Sequence, residues 1–254
     1  MTRLGLITTS LLLSSVVYAD EPEQSQNKID VPSPWKSEIE FGYQSHTGNT
    51  DSRSVNSRLS AEYLSGRHRT TGEWKYYQLY KDGEEDKRQS TYLAQSDYKL
   101  GPKTYLYGNF QGVDSRYSAY FKDYTLSSGL GYQFYNTEAF LLELELGPGY
   151  RYQEPNTDEI GDNDIVFDET VQEAIFRGHV KSNWHITKSL DLSAAVTLVA
   201  GDSNVRTDTD LNATNSITEH IALKVSYSRQ YHDRVPEGLQ NADSIFSINI
   251  LFSI

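Results

Sequence analysis

The sequence contains no cysteine, which removes disulfides, thiol nucleophiles and thiolate metal sites together and leaves no attachment point for a lipoprotein anchor. Long apolar runs are also missing. Beyond residue 19 nothing approaches the roughly 18 consecutive apolar residues of a membrane-spanning helix, there is one methionine, and mean hydropathy is −0.61. A helical membrane protein cannot be built from this material. A barrel needs apolar residues only at every second position, so it is not excluded. Positive charge is scarce too: the formal net charge is −12, or −13 once Arg3 is removed with a leader. Nucleic acid is therefore excluded as an expected partner.

Tyrosine, by contrast, is abundant, with 19 copies beside three tryptophans. The most informative stretch is 140–153, FLLELELGPGYRYQ. One parity collects Phe140, Leu142, Leu144, Leu146, Pro148, Tyr150 and Tyr152, and the other holds Glu143, Glu145, Gly147, Gly149, Arg151 and Gln153. A period of two residues is a strand with one greasy and one wet face. At about 3.3 Å per residue this one is long enough to cross a bilayer at a tilt.

Similar alternation recurs along the chain. It predicts twelve strands: 35–44, 54–64, 68–80, 91–100, 104–113, 122–134, 140–153, 171–185, 190–200, 205–217, 221–231 and a last one running through Phe246 to Ile254. Stretch 104–113 is ambiguous, because Tyr105 and Tyr107 favour one face while Leu106 and Phe110 favour the other. Lys81–Ser90 reads as a charged loop, and Pro148, which lacks a ladder donor, suggests a bulge. Connectors after odd-numbered strands come to about 9, 10, 8, 17, 4 and 12 residues, against about 3 or 4 after even-numbered ones. Outer-membrane barrels segregate long external loops from short periplasmic turns in this way.

The expected fold is therefore all-β: a closed transmembrane antiparallel up-and-down barrel of about 12 strands over residues 35–254, with both termini periplasmic. Trp35 and Trp184 would fall in the periplasmic aromatic girdle, and Tyr150 and Tyr231 in the external one. The competing reading is a soluble periplasmic barrel or sandwich with the apolar parity inside. At the N-terminus, Arg3, the apolar run 11–17 and Val17-Tyr18-Ala19 read as a signal peptide over 1–19, followed by a polar lead-in over 20–34. An uncleaved membrane anchor is the alternative, disfavoured by the short run.

Trp35, TGNT (Thr47–Thr50), GLGY (Gly129–Tyr132), GPGYR (Gly147–Arg151) and the closing aromatic strand together resemble the YdiY-like family of salt-induced outer-membrane proteins. The resemblance covers the whole mature chain. It implies an outer-membrane barrel associated with salt or osmotic stress, and supplies no catalytic residues.

If the apolar parity meets lipid, the lumen receives twelve acids and nine bases, near enough to balance to favour ion pairing over a one-signed ring. The candidate lumen network comprises Glu143, Glu145, Arg151, Glu173, Arg177, His179, Lys181, Arg206, Asp208 and Asp210. A simple hairpin register opposes Arg151 to Glu173 and Glu143 to Lys181. Two outcomes are open: a lumen closed by its own salt bridges, or a narrow pore with weak cation preference. None of the six histidines shows metal-ligand spacing; His179 belongs among inward charges, and His68, His185 and His220 sit at strand ends. No Ser/His pair with a third group can be assembled for a lipid hydrolase, the enzymatic alternative. No cofactor is expected. Loop 154–170, with Glu154, Asp158, Glu159, Asp162, Asn163, Asp164, Asp168 and Glu169, offers oxygen ligands for Ca²⁺ without EF-hand spacing, so a solvated acidic loop is the default. Expected partners are outer-membrane lipid and lipopolysaccharide, and the barrel-assembly machinery through the C-terminal strand. A monomer is the default state.

Overall fold

The computed structural model describes residues 33–46, 51–116, 118, 120–157, 169–235 and 240–253. Within Ser33–Ile254 they form one closed antiparallel barrel of twelve strands, paired in chain order, with β1 returning to β12. The strands are β1 Trp35–His46, β2 Ser52–Ser65, β3 His68–Lys81, β4 Glu84–Lys99, β5 Thr104–Ser115, β6 Tyr120–Asn136, β7 Phe140–Pro155, β8 Val171–His185, β9 Leu190–Ala200, β10 Val205–Ser216, β11 Ile221–His232 and β12 Ala242–Ser253. The expected leader and most of the lead-in, TGNT, most of the acidic loop 154–170 and Ile254 lie outside the described residues.

Alternation decides which face is which. Leu126, Leu130, Phe246 and Ile248 point outward and stay more than half exposed. Among the described residues, twenty polar or charged side chains are buried against eight apolar ones. The barrel is thus inside-out relative to a soluble core, and the soluble reading is overturned. A 12-residue strand tilted by about 40° rises roughly 30 Å, the height of a bilayer's hydrocarbon layer. Trp35 packs at a tilt against Tyr63 with centroids 4.7 Å apart, and Trp184 meets Phe140 at 5.7 Å. All four lie at the end of the barrel where β1 begins and β8 stops.

Several local expectations are corrected. The stretch read as a charged loop over 81–90 is mostly β4, because Asp82 (φ 49°) and Gly83 (φ 88°) make a two-residue hairpin turn. Its charged residues had hidden the alternation. Pro148 causes no bulge: Ser127 pairs with Gly149 and Leu130 with Leu146, so no residue is inserted. The ladder lapses between them, where Gly129 and Gly147 approach closely; a Cβ on Gly147 would stand 2.1 Å from the Ser128 carbonyl oxygen. Irregularities occur instead at Leu79/Tyr80, Tyr120/Lys122 and Gln133/Tyr135. Of the connectors expected to be long, 82–83 and 116–119 are as short as the turns at the other end, while 201–204 has the expected four residues. Strand β5 resolves its ambiguity by burying Tyr105 and Tyr107 in the lumen and turning Leu106 and Phe110 out.

The closing seam has the thinnest pairing, from Glu38↔Ser253 to Phe41↔Ile250. Side chains reinforce it from within. Lys224 on β11 donates to Glu40 on β1 at 2.6 Å, Asn249 on β12 donates at 3.2 Å, and Arg58 on β2 donates at 2.5 Å. Removing one partner of a buried ion pair leaves the other charge stranded. Glu40→Ala is therefore expected to lower stability by about 3–5 kcal/mol. The temperature at which the folded, fast-migrating gel band disappears should fall, and an unchanged band would show that the seam does not depend on this carboxylate.

Candidate functional site

The inward parity of the barrel gathers its chemistry into the lumen. Strand β7 is the spine, because its Glu143, Glu145, Arg151 and Gln153 all point inward and are all buried. Its register with β8 is the one the sequence predicts: Glu143↔Lys181, Glu145↔His179 and Arg151↔Glu173.

Arg151 and Glu173 form an ion pair. Arg151 Nε donates to Glu173 at 3.0 Å, Nη1 to Asn204 Oδ1 at 3.0 Å, and Nη2 to the Asn204 carbonyl at 2.7 Å and Ser203 Oγ at 3.0 Å. Glu173 also accepts the Ser203 amide at 2.9 Å and its hydroxyl at 2.6 Å. The β9–β10 turn at 201–204 thus folds into the barrel mouth rather than outward. Gly201 makes this possible, since a Cβ there would stand 2.3 Å from Glu173 Oε1 and 2.6 Å from Arg151 Nη2. Asn204 completes the cap by donating to Tyr120 Oη at 3.0 Å and Gln153 at 2.9 Å. Nothing in a four-residue polar turn announces an inward course; the nearest signal is Gly201 preceding Ser203-Asn204.

Glu145 is the hub of the other end. It accepts Arg177 Nη1 at 2.8 Å, Gln95 Nε2 at 2.7 Å and the Tyr105 hydroxyl at 3.0 Å. Arg177 also lies over the Tyr107 ring at 5.2 Å. His179 bonds through Nδ1 to Thr197 Oγ1 at 2.8 Å. Glu143 does not pair with Lys181, although the two are register partners. It accepts Gln133 at 2.5 Å and faces Arg69 on β3, at 3.5 Å, while among the described residues no carboxylate lies within ion-pair distance of Lys181. Arg69 shares its parity with Glu73 and Lys75, so its inward placement was legible but missed.

Three further contacts cross the lumen. Arg206 Nη1 lies 2.6 Å from Asp123 on β6, and its Nε donates to Asp208 at 3.1 Å. Gln111 on β5 reaches Asp208 on β10 at 3.2 Å. Lys75 on β3 stands 3.7 Å from Asp210, which also accepts Ser228 Oγ at 2.6 Å.

The network is lopsided. Arg151 and Arg206 are fully shielded and Glu145 is 2 % exposed, whereas the side chains of Lys75, Glu38 and Asp210 keep 41, 41 and 36 % of their surface open. The buried charges of β5–β8, together with Arg206 on β10 and Glu40 on β1, are packed dry, whereas Glu38 on β1, Lys75 on β3 and Asp210 on β10 remain water-accessible. Among the described residues no group of three His, Asp or Glu side chains is arranged to hold a metal ion.

The uncharacterised protein YdiY of Escherichia coli K12 is 28 % identical over 210 residues, covering 81 % of this chain and 77 % of the relative. The COG4313 outer membrane channel from Pseudomonas putida F1 superposes with a TM-score of 0.50 at 10 % identity, over 88 % of this chain and 96 % of that one. The NanC porin superposes at 0.48 and 11 % identity, over 85 % and 97 %. At 10 % identity the likeness to the COG4313 channel speaks to the fold alone, which is that of an outer-membrane barrel. The model of the family described as "Protein of unknown function, DUF481" matches residues 39–254, and this chain belongs to that family.

Proposed function

We propose that the protein sits in the bacterial outer membrane and forms a narrow channel for ions or small hydrophilic solutes, its passage running beside the dry wall rather than through it. The observation that carries this reading is the Lys75–Asp210 pair. The two residues lie near the middle of β3 and β10, face each other across the lumen at 3.7 Å, and are enclosed by the barrel wall, yet each keeps more than a third of its side chain open. A barrel sealed by its own salt bridges would shield these charges as it shields Arg151. Along the same side lie Glu38, Glu73 and Arg58, so acids exceed bases and a weak cation preference follows. The resemblance to the salt-induced family extends the proposal to salt or osmotic stress. The alternative, a closed barrel acting through its external loops, draws support from the inward turn at 201–204.

Purified full-length mature protein in planar bilayers tests the proposal. Brief, small single-channel openings are expected. A unit charge at 4 Å in water is worth about 1 kcal/mol, so Lys75→Gln should raise the cation-to-anion permeability ratio several-fold and Asp210→Asn should lower it. Both shifts should fade at 1 M salt, where the Debye length is about 3 Å. A folded but silent barrel would support the closed alternative. If the turn at 201–204 narrows the mouth, the Ser203→Ala/Asn204→Ala double variant should conduct more than the parent. Equal conductance in a still-folded barrel would separate that turn from the passage.

A further inference from the structure

The outward face of β10–β12 turns polar toward its loop end, where Ser244 on β12 pairs in register with Arg229 on β11. Thr207 and Thr209 on β10 pair in register with Tyr231 and Arg229 on β11, and the four line an open-sided cleft of about 310 Å³. Arg229 carries the same parity as the outward Tyr227 and Tyr231, and its guanidinium lies 5.9 Å from the Tyr231 ring centroid. It sits near the loop end of β11, where the tyrosines form the external girdle. Directly below on the same face are Leu211, Tyr227, Phe246 and Ile248, all exposed.

A cation on the lipid-facing side of a barrel is unfavourable toward the midplane and tolerated close to the interface. Among the described residues no carboxylate lies within ion-pair distance of Arg229. The position therefore calls for an anion from the membrane itself. Guanidinium groups bind phosphate through two parallel N–H donors, and the threonine hydroxyls beside Arg229 can add further donors. The apolar wall beneath is shaped for acyl chains hanging from the same headgroup. Arg53 is the informative comparison: it also faces outward near the loop end, but its guanidinium stacks on Tyr80 at 4.8 Å and it is not among the residues lining the cleft.

We propose that the cleft of Thr207, Thr209, Arg229 and Tyr231 binds the phosphate group of an outer-leaflet glycolipid, whose acyl chains lie along Leu211, Tyr227 and Phe246. The site lies on the outer face and does not depend on whether the lumen conducts. Native mass spectrometry of the full barrel, refolded in detergent, tests it with bisphosphorylated lipid A, dephosphorylated lipid A, phosphatidylcholine and inorganic phosphate as probes. Lipid A is expected to bind at least tenfold more tightly than its dephosphorylated form or phosphatidylcholine. Arg229→Gln should weaken it about tenfold, the loss of one charge-assisted contact, while Arg229→Lys retains part of the affinity and Arg53→Gln nearly all of it. Unchanged heat-modifiable gel migration of Arg229→Gln would confirm that the barrel is intact. Equal weakening by Arg53→Gln would reduce the effect to diffuse charge and overturn the site. Equal binding of phosphatidylcholine, or displacement of lipid A by millimolar inorganic phosphate, would overturn the lipid assignment.

Discussion

Closure of the sheet is the constraint from which the rest follows. A strand that crosses hydrocarbon must pair every backbone donor and acceptor, and only a barrel does so without leaving an edge. Once closed, the pleat sends alternate side chains out and in, and half of each strand's residues are committed to the lumen. A chain with net charge −12 must then arrange its inward acids and bases so that each buried charge meets an opposite one. Arg151 illustrates the cost: taken wholly out of water, it is matched by Glu173, Ser203 and Asn204. Buried ion pairs of this kind rarely stabilise more than an apolar replacement would. Their value lies in fixing which strand stands opposite which.

That role explains the uneven distribution of water in the lumen. Contacts on β5–β8 are short and many-sided, as at Glu145, where three donors from three strands converge on one carboxylate. Such a cluster has few alternative arrangements, because moving any member strands several others. The contact between Lys75 on β3 and Asp210 on β10 is longer and carries open surface. Exposed pairs are worth little and exchange readily with water and ions. One ring of strands thus joins a tightly knotted wall to a more loosely held, water-accessible pair.

Most of this architecture was legible because period-two alternation is a direct record of the pleat. The β7–β8 register followed from the same logic, and it placed Arg151 against Glu173 correctly. What the sequence concealed were relations that alternation does not encode. Glu143 meets Arg69 from a strand four positions away around the ring, and no hairpin register relates those two. The first half of β4, rich in Glu, Asp, Lys and Arg, has no apolar parity because much of it lies beyond the greasy band, so it reads as a loop. Tyr105 and Tyr107 were ambiguous because tyrosine suits either face. Their choice was made by partners: the Glu145 carboxylate for one, the Arg177 guanidinium for the other, and Gly131 as the space that the Tyr105 ring occupies.

The water-accessible side of the lumen is also the side of the closing seam, and the two facts are connected. Pairing between β1 and β12 is short, so the seam needs side-chain support, while the lumen beside it stays water-accessible at Glu38. Neighbouring residues of one strand are divided between the two environments. Glu40 turns into a dry knot with Lys224, Asn249 and Arg58, while Glu38, two residues earlier on the same face, meets Arg58 and keeps 41 % of its surface open. Arg58 belongs to both environments and ties them together, so a charge change on the water-accessible side is felt at the seam. Residues on the outward face share no partners with this group and should act independently of it.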